Sequence, residues 1–135
     1  MANYIRGVRG ATICEANSEA SILAAAETLL REIVAANDIR PEDVASVLFT
    51  VTPDLDAAFP AKAARRLGWV DTALMDAQEM AVPGAPERCI RVLLHWNTTK
   101  AQSEIRHVYL GEARRLRPDL NGEPPQPLRT GGEVR

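Results

Sequence analysis

Arg91 is the residue whose chemistry most needs an explanation. It stands among Ile90, Val92, Leu93 and Leu94, inside a run (CIRVLLHW, residues 89–96) with the composition of a buried strand. A guanidinium there has to be paired or hydrogen-bonded, because leaving it bare costs on the order of several kcal/mol. Either an internal carboxylate, with Glu79 the obvious candidate, or an anionic ligand can supply the partner. Arg9 raises the same question more weakly. Strand alternation puts it on one face with Ile5 and Gly7, and the glycines at 7 and 10 leave room nearby; the plainer reading is a strand-end arginine at a rim. Glu79 (in AQEM, residues 77–80) lies between a strand and a Pro/Gly loop, where chemistry often resides but idle acids do too. Asp76, three residues earlier, could share a site with it, in which case one of the two would titrate high; otherwise both are solvated acids. Tyr109 can donate a hydrogen bond or simply pack.

Several reaction classes have no residues to carry them. His95 and His107 are not spaced with cysteine or acid in any metal-ligand pattern, and neither a Ser-His-Asp set nor a phosphate-cradling loop is recognisable. No metal and no cofactor are expected. Fourteen of the 16 basic residues are arginine, only Lys62 and Lys100 being lysine. Genomic base composition explains that blandly; the sharper reading is that some of these rigid forks of donors hold planar carboxylates. The residues alone point to a cofactor-free site for a small dianion.

The 135 residues suit one domain, and 46% apolar with 25% charged residues is the balance of an ordinary globular chain. A formal charge of −2 gives no general attraction to nucleic acid or to an anionic membrane surface. Only six residues are aromatic, which argues against base-stacking platforms. No apolar run reaches the roughly 18 residues a bilayer span requires. The first residues carry arginines where a signal peptide needs an apolar stretch, and Cys14 and Cys89 are too few for a disulfide framework. A cytoplasmic chain with reduced thiols is expected.

The elements that must position these residues follow from periodicity. Residues 3–12 read as a strand, and a helix capped by Asn17 or Ser18 runs to Asn37 with Ile22, Ala26, Leu29, Leu30 and Ile33 on one face. Val44–Thr52 is a strand broken by Thr52-Pro53-Asp54. A short helix spans Pro60–Leu67 and stops at Gly68, with strands at 69–75, 89–96 and, briefly, 105–110. The order β-α-β-α-β-β-β predicts an α/β (α+β) fold, a mixed β-sheet with helices on one face. Residues 1–120 form the single domain, and the Pro/Gly-rich stretch 121–135 is expected to be a flexible tail.

The strings IRGVRGAT (5–12), TPDLDAAFPAKAARRLGW (52–69), QEM (78–80), CIRVLLHWNT (89–98) and RHVYLGEARRLRPDL (106–120), in that order, resemble the trimeric class of chorismate mutase. The resemblance implies a homotrimer forming a pseudo-α/β barrel, with sites at the subunit clefts, that isomerises chorismate to prephenate on the route to phenylalanine and tyrosine. By position, Arg9, Glu79, Arg91 and Tyr109 match the family's central polar residues. Phe59, Ala61, Lys62 and Arg65 match a wall supplied by the neighbouring subunit, Leu74 and Met75 match pocket-lining positions, and Leu116 and Arg117 match the mouth. Asp76 departs from the pattern: the family often has a small thiol or hydroxyl there to bind the substrate hydroxyl, and a carboxylate adds negative charge beside a dianion. Two other readings use the same arginines, a non-catalytic carboxylate-metabolite-binding module and the trimeric imine/enamine deaminase family. That second family's C-terminal arginine-cysteine strand followed by proline is not found; RCIRV at 88–92 comes earlier in the chain.

Overall fold

The structure, a computed structural model, describes residues 3–116. Five strands and two helices follow in the order β1 (Tyr4–Ile13), α1 (Glu19–Asn37), β2 (Val44–Val51), α2 (Ala61–Arg66), β3 (Ala73–Gln78), β4 (Cys89–Thr98) and β5 (Val108–Tyr109), with 3-10 turns at Pro41–Asp43, Gln102–Glu104 and Gly111–Leu116. They form one mixed sheet in the order β3-β2-β4-β1-β5. β4 is antiparallel to both β1 and β2, whereas the β2–β3 and β1–β5 pairs are parallel. The tail expected at 121–135 lies outside the described residues, as does Arg117.

Ser18 caps α1, its hydroxyl accepting from the Ser21 N–H at 3.1 Å. Asn17 serves a different purpose: its side chain bonds Asp56 and the Ala57 N–H, tying the start of α1 to the loop that leads into α2. The apolar stripe of α1 is fully buried at Ile22, Ala26, Leu29, Leu30 and Ile33. Burying each of the larger of these is worth about 1.5–3 kcal/mol. The stripe packs on Val8, Val47, Phe49, Ile90, Val92 and Leu94, which are alternate residues of the three central strands.

Two boundaries differ from the sequence expectation. β3 runs 73–78 rather than 69–75, because Gly68 (φ 94°) turns Trp69 back into the core, where its N–H donates to Ala64 O at 3.1 Å. The apolar character of 69–70 therefore belongs to the end of α2, not to the ladder. The last strand is confined to Val108–Tyr109 within 105–110. Ile105 closes a 3-10 turn, and the Arg106 N–H is taken by the side chain of Asn37 at 2.8 Å. Asn37, itself buried, also donates to Ile33 O and Arg106 O, so the end of α1 anchors the segment that enters β5.

Both α-helices lie on one face of the sheet, as expected. The other face is covered at one end, where Ala113 and Leu116 of the last 3-10 turn pack with Ala11, Cys89 and Tyr109. No described helix is long and apolar enough to cross a membrane.

Gly10 sets how closely α1 approaches β1. A Cβ there would sit 2.9 Å from both Ile33 Cδ1 and the Val108 carbonyl oxygen, and backbone cannot give way cheaply. Gly10→Ala is expected to lower stability by about 1–3 kcal/mol in denaturant unfolding; an unchanged midpoint would show that this approach is not constrained.

Candidate active site

Ladder register arranges side chains in rows across the sheet, and successive rows point to opposite faces. One row reads Tyr109, Ala11, Arg91, Thr50, Ala77. The next, pointing at the helices, reads Val108, Gly10, Val92, Phe49, Asp76. The third returns to the open face as Arg9, Leu93, Leu48, Met75. Arg91, Arg9 and Tyr109 thus share the helix-free face, with Arg9 and Arg91 as diagonal cross-strand neighbours.

Arg91 is not buried as its apolar neighbours in sequence suggest. It alternates out of the core, and its side chain is 39% exposed. Its Nε, however, is sealed from solvent and has no hydrogen-bond partner among the described residues. Glu79 Oε2 lies 3.7 Å away, close enough for ion pairing but too far for a hydrogen bond. Glu79 is itself held at two points: its N–H donates to Val51 O at 2.8 Å, and Oε2 accepts from the Thr50 hydroxyl at 2.5 Å. The start of β4 is fixed by the Thr52-Pro53-Asp54 break. The Thr52 hydroxyl accepts from the Cys89 N–H at 2.9 Å and donates to Asp54, which also accepts from the Arg88 N–H. These donors hold the Asp54 carboxyl below its ordinary pKa, the Thr52 hydroxyl contributing most.

Arg9 is exposed, and its backbone N–H donates to His107 Nδ1 at 2.9 Å. The ring extends the β1 edge just where β5 begins, and a neutral His107 making this bond carries its proton on Nε2. Tyr109 is almost buried beside Ala11.

The remaining predicted residues gather elsewhere. Phe59, 70% exposed, precedes α2, and Ala61 is buried with its N–H donating to Asp76 Oδ1 at 3.0 Å. Lys62 pairs with Glu19 at 3.0 Å, and Arg65 lies exposed in the last turn of α2. Leu74 packs against the helix-side core, whereas Met75, 66% exposed, belongs to the open face. Within one chain Asp76 and Glu79 therefore have different partners, Ala61 for the first and Thr50 and Arg91 for the second. Asp76 does titrate above its ordinary value, but because it is desolvated, with the Ala61 N–H and the charge of Arg65 pulling the other way. Leu116 packs beside Tyr109, and Arg117 lies outside the described residues.

Residue types and spacing did not single out Thr50 or the role of His107. Alternation across VASVLFTV puts Thr50 on the face opposite Val47 and Phe49, but only the strand pairing reveals that it faces Arg91. The thiols offer no nucleophile near neutral pH. Burial pushes Cys14 up to about 11, and it raises Cys89 against the opposing effect of Arg91.

The shift at Asp76 has a testable sign. A carboxyl with a raised folded-state pKa binds its proton more tightly when folded, so stability falls as pH rises from the unfolded value of about 3.9 through the folded one. Asp76→Asn keeps an acceptor for the Ala61 N–H and removes the charge. It is expected to raise the melting temperature at pH 7, with the gain fading below pH about 4; a lower melting temperature at pH 7 would contradict the desolvation argument.

Comparison with known proteins places this geometry. Residues 5–120 match the family described as chorismate mutase type I. The chain is 50% identical over 117 residues to the chorismate mutase AroH of Thermus thermophilus, covering 86% of this chain and 96% of that one. It is 48% identical over 118 residues to the AroH of Bacillus subtilis (strain 168), covering 87% and 93%. A solved chorismate mutase from Clostridium thermocellum superposes with a TM-score of 0.80 at 49% identity, over 81% of this chain and 97% of that one. The family match over residues 5–120, these relatives and the shared five-stranded fold show that the chain belongs to the chorismate mutase type I family.

Proposed function

We propose that the open face of the sheet is one half of a chorismate site, completed by the α2 wall of a second copy in a homotrimer working in the cytoplasm. As a family member the chain is an isomerase that converts chorismate to prephenate in aromatic amino-acid biosynthesis. The observation that carries the site assignment is Arg91: half-exposed, on one face with Arg9 and Tyr109, and held 3.7 Å from Glu79 without a hydrogen bond at Nε.

The reaction is an intramolecular [3,3] rearrangement. The ether C–O bond breaks as a C–C bond forms between the enolpyruvyl carbon and the ring, and no proton enters or leaves. The protein has to hold the side chain over the ring and stabilise negative charge growing on the ether oxygen. Even the low end of enzymatic acceleration requires about 8 kcal/mol. One preorganised donor to a developing oxyanion supplies about 3–4 kcal/mol. In our reading Arg91 is that donor, its exposed end reaching the ether oxygen and a carboxylate together. Arg9 and Tyr109 grip the carboxylate and select the reactive conformer. Glu79 accepts from the ring hydroxyl and favours positive character on the ring.

Two features support a shared site. Phe59, Ala61, Lys62, Arg65, Leu74 and Asp76 lie on or beside α2 and the edge strand β3, which β2 separates from the strand that holds Arg91. In addition, Ile5 and Met75 on the open face, at 65% and 66% exposure, together with Phe59, are large apolar side chains that a second copy would cover. In the proposed trimer Phe59 excludes water, while Lys62, Arg65 and Arg117 draw in the dianion and Leu116 lines the mouth. The Lys62–Glu19 pair is exposed and worth little, so it can yield to a substrate carboxylate.

Purified chain is expected to consume chorismate and produce prephenate. Arg91→Lys should lower kcat by about 100-fold or more with circular dichroism unchanged, because an ammonium cannot make the two-pronged contact; a kcat within about threefold of wild type would remove Arg91 from this role. Arg91→Ala and Arg65→Ala chains, each inactive, should regain activity when unfolded together and refolded. With random assortment in a threefold assembly, about a quarter of the sites are intact. Verified mixed assemblies with no activity would rule out sharing.

A further inference from the structure

We propose that Thr50 is a positioning residue, its hydroxyl holding the Glu79 carboxylate off Arg91 and aiming it at the substrate. The inference rests on the roles assigned above to Arg91 and Glu79. Thr50 lies in central strand β2, directly across from Arg91 in β4 and on the same face. Its Oγ1 donates to Glu79 Oε2 at 2.5 Å, and that same oxygen is the one 3.7 Å from Arg91 Nε. The Glu79 backbone N–H is bonded to Val51 O at 2.8 Å, so consecutive residues of β2 pin both ends of Glu79.

This geometry is unusual for opposite charges. A carboxylate beside a guanidinium ordinarily closes to about 2.7–2.9 Å. Here the Arg91 Nε–H is sealed from water and unsatisfied, a costly arrangement that closure would relieve. The Thr50 hydroxyl opposes closure by gripping the facing oxygen, and it is the one hydrogen bond that Oε2 makes among the described residues. Two consequences follow for catalysis. Oε2 is committed to Thr50, so Oε1 remains to accept from the ring hydroxyl. The guanidinium is not neutralised at close range, so its exposed end keeps its charge for the ether oxygen and a carboxylate.

The test uses the full chain and steady-state kinetics with chorismate. Thr50→Val keeps the shape and removes the hydroxyl, which lets Glu79 close on Arg91. It is expected to lower kcat about tenfold while KM stays within about threefold. Thr50→Ser, which restores the hydroxyl, should return kcat to within about threefold of wild type. In a Glu79→Gln background, Thr50→Val should change kcat by less than about twofold, because the carboxylate it restrains is gone. Should Thr50→Val fail to fold, Thr50→Ala is compared with Thr50→Ser in the same way. A kcat within about twofold of wild type without the hydroxyl, or the same loss in the Glu79→Gln background, overturns the proposal. Arg91→Lys run in parallel separates the two levels. If it is inactive while Thr50→Val is fully active, only the role of Thr50 fails; if it is fully active, the site assignment fails and this inference with it.

Discussion

The loosely closed pair between Arg91 and Glu79 governs how the rest of the molecule has to be built. A guanidinium with a desolvated, unsatisfied Nε is held on a sheet face by neighbours on both sides, Ala11 of β1 and Thr50 of β2. Such a group is tolerable only where the surrounding backbone does not relax toward it, and a central strand paired on both edges meets that requirement. A loop carrying the same arginine could shift by the small distance needed to complete the ion pair, and would then present a neutralised partner to any ligand.

The sheet achieves that rigidity by dividing labour between its faces. Rows of Val8, Val47, Phe49, Val92 and Leu94 face α1 and supply burial, while the intervening rows carry Arg9, Thr50 and Arg91. The close approach of α1 at Gly10 and the anchoring of the segment before β5 by Asn37 extend this order to the edge where Arg9, His107 and Tyr109 lie. Core packing and the proposed chemistry thus sit on alternate residues of the same strands. This is why a strand that reads as uniformly apolar can hold a half-exposed arginine.

Asp76 shows the same division from the other side. Its row points toward the helices. Its carboxylate accepts the N–H of the first residue of α2 and lies within the field of Arg65. Its evident work in one chain is to tie the end of β3 to α2, the element that carries the proposed wall. Burial of that carboxyl raises its pKa, while the Ala61 N–H and the charge of Arg65 pull it down.

Much of the fold was legible in the sequence because it is written in local periodicity. The 3.6-residue stripe of α1, the alternation of β1, the apolar runs of β2 and β4, and the Pro60 and Gly68 stops of α2 each depend only on residues close along the chain. The family resemblance was legible for a related reason, since ordered motifs survive without knowledge of their contacts. The ends of β3 and β5 were not, because Trp69 and Arg106 are claimed by a helix end and by Asn37, partners chosen in three dimensions. The grouping of the site was not legible either. Asp76 and Glu79 are three apart in sequence yet face different environments, while Thr50 and Arg91 are forty-one apart and adjacent. Strand register decides such neighbours, and register follows from how the whole sheet buries its apolar face.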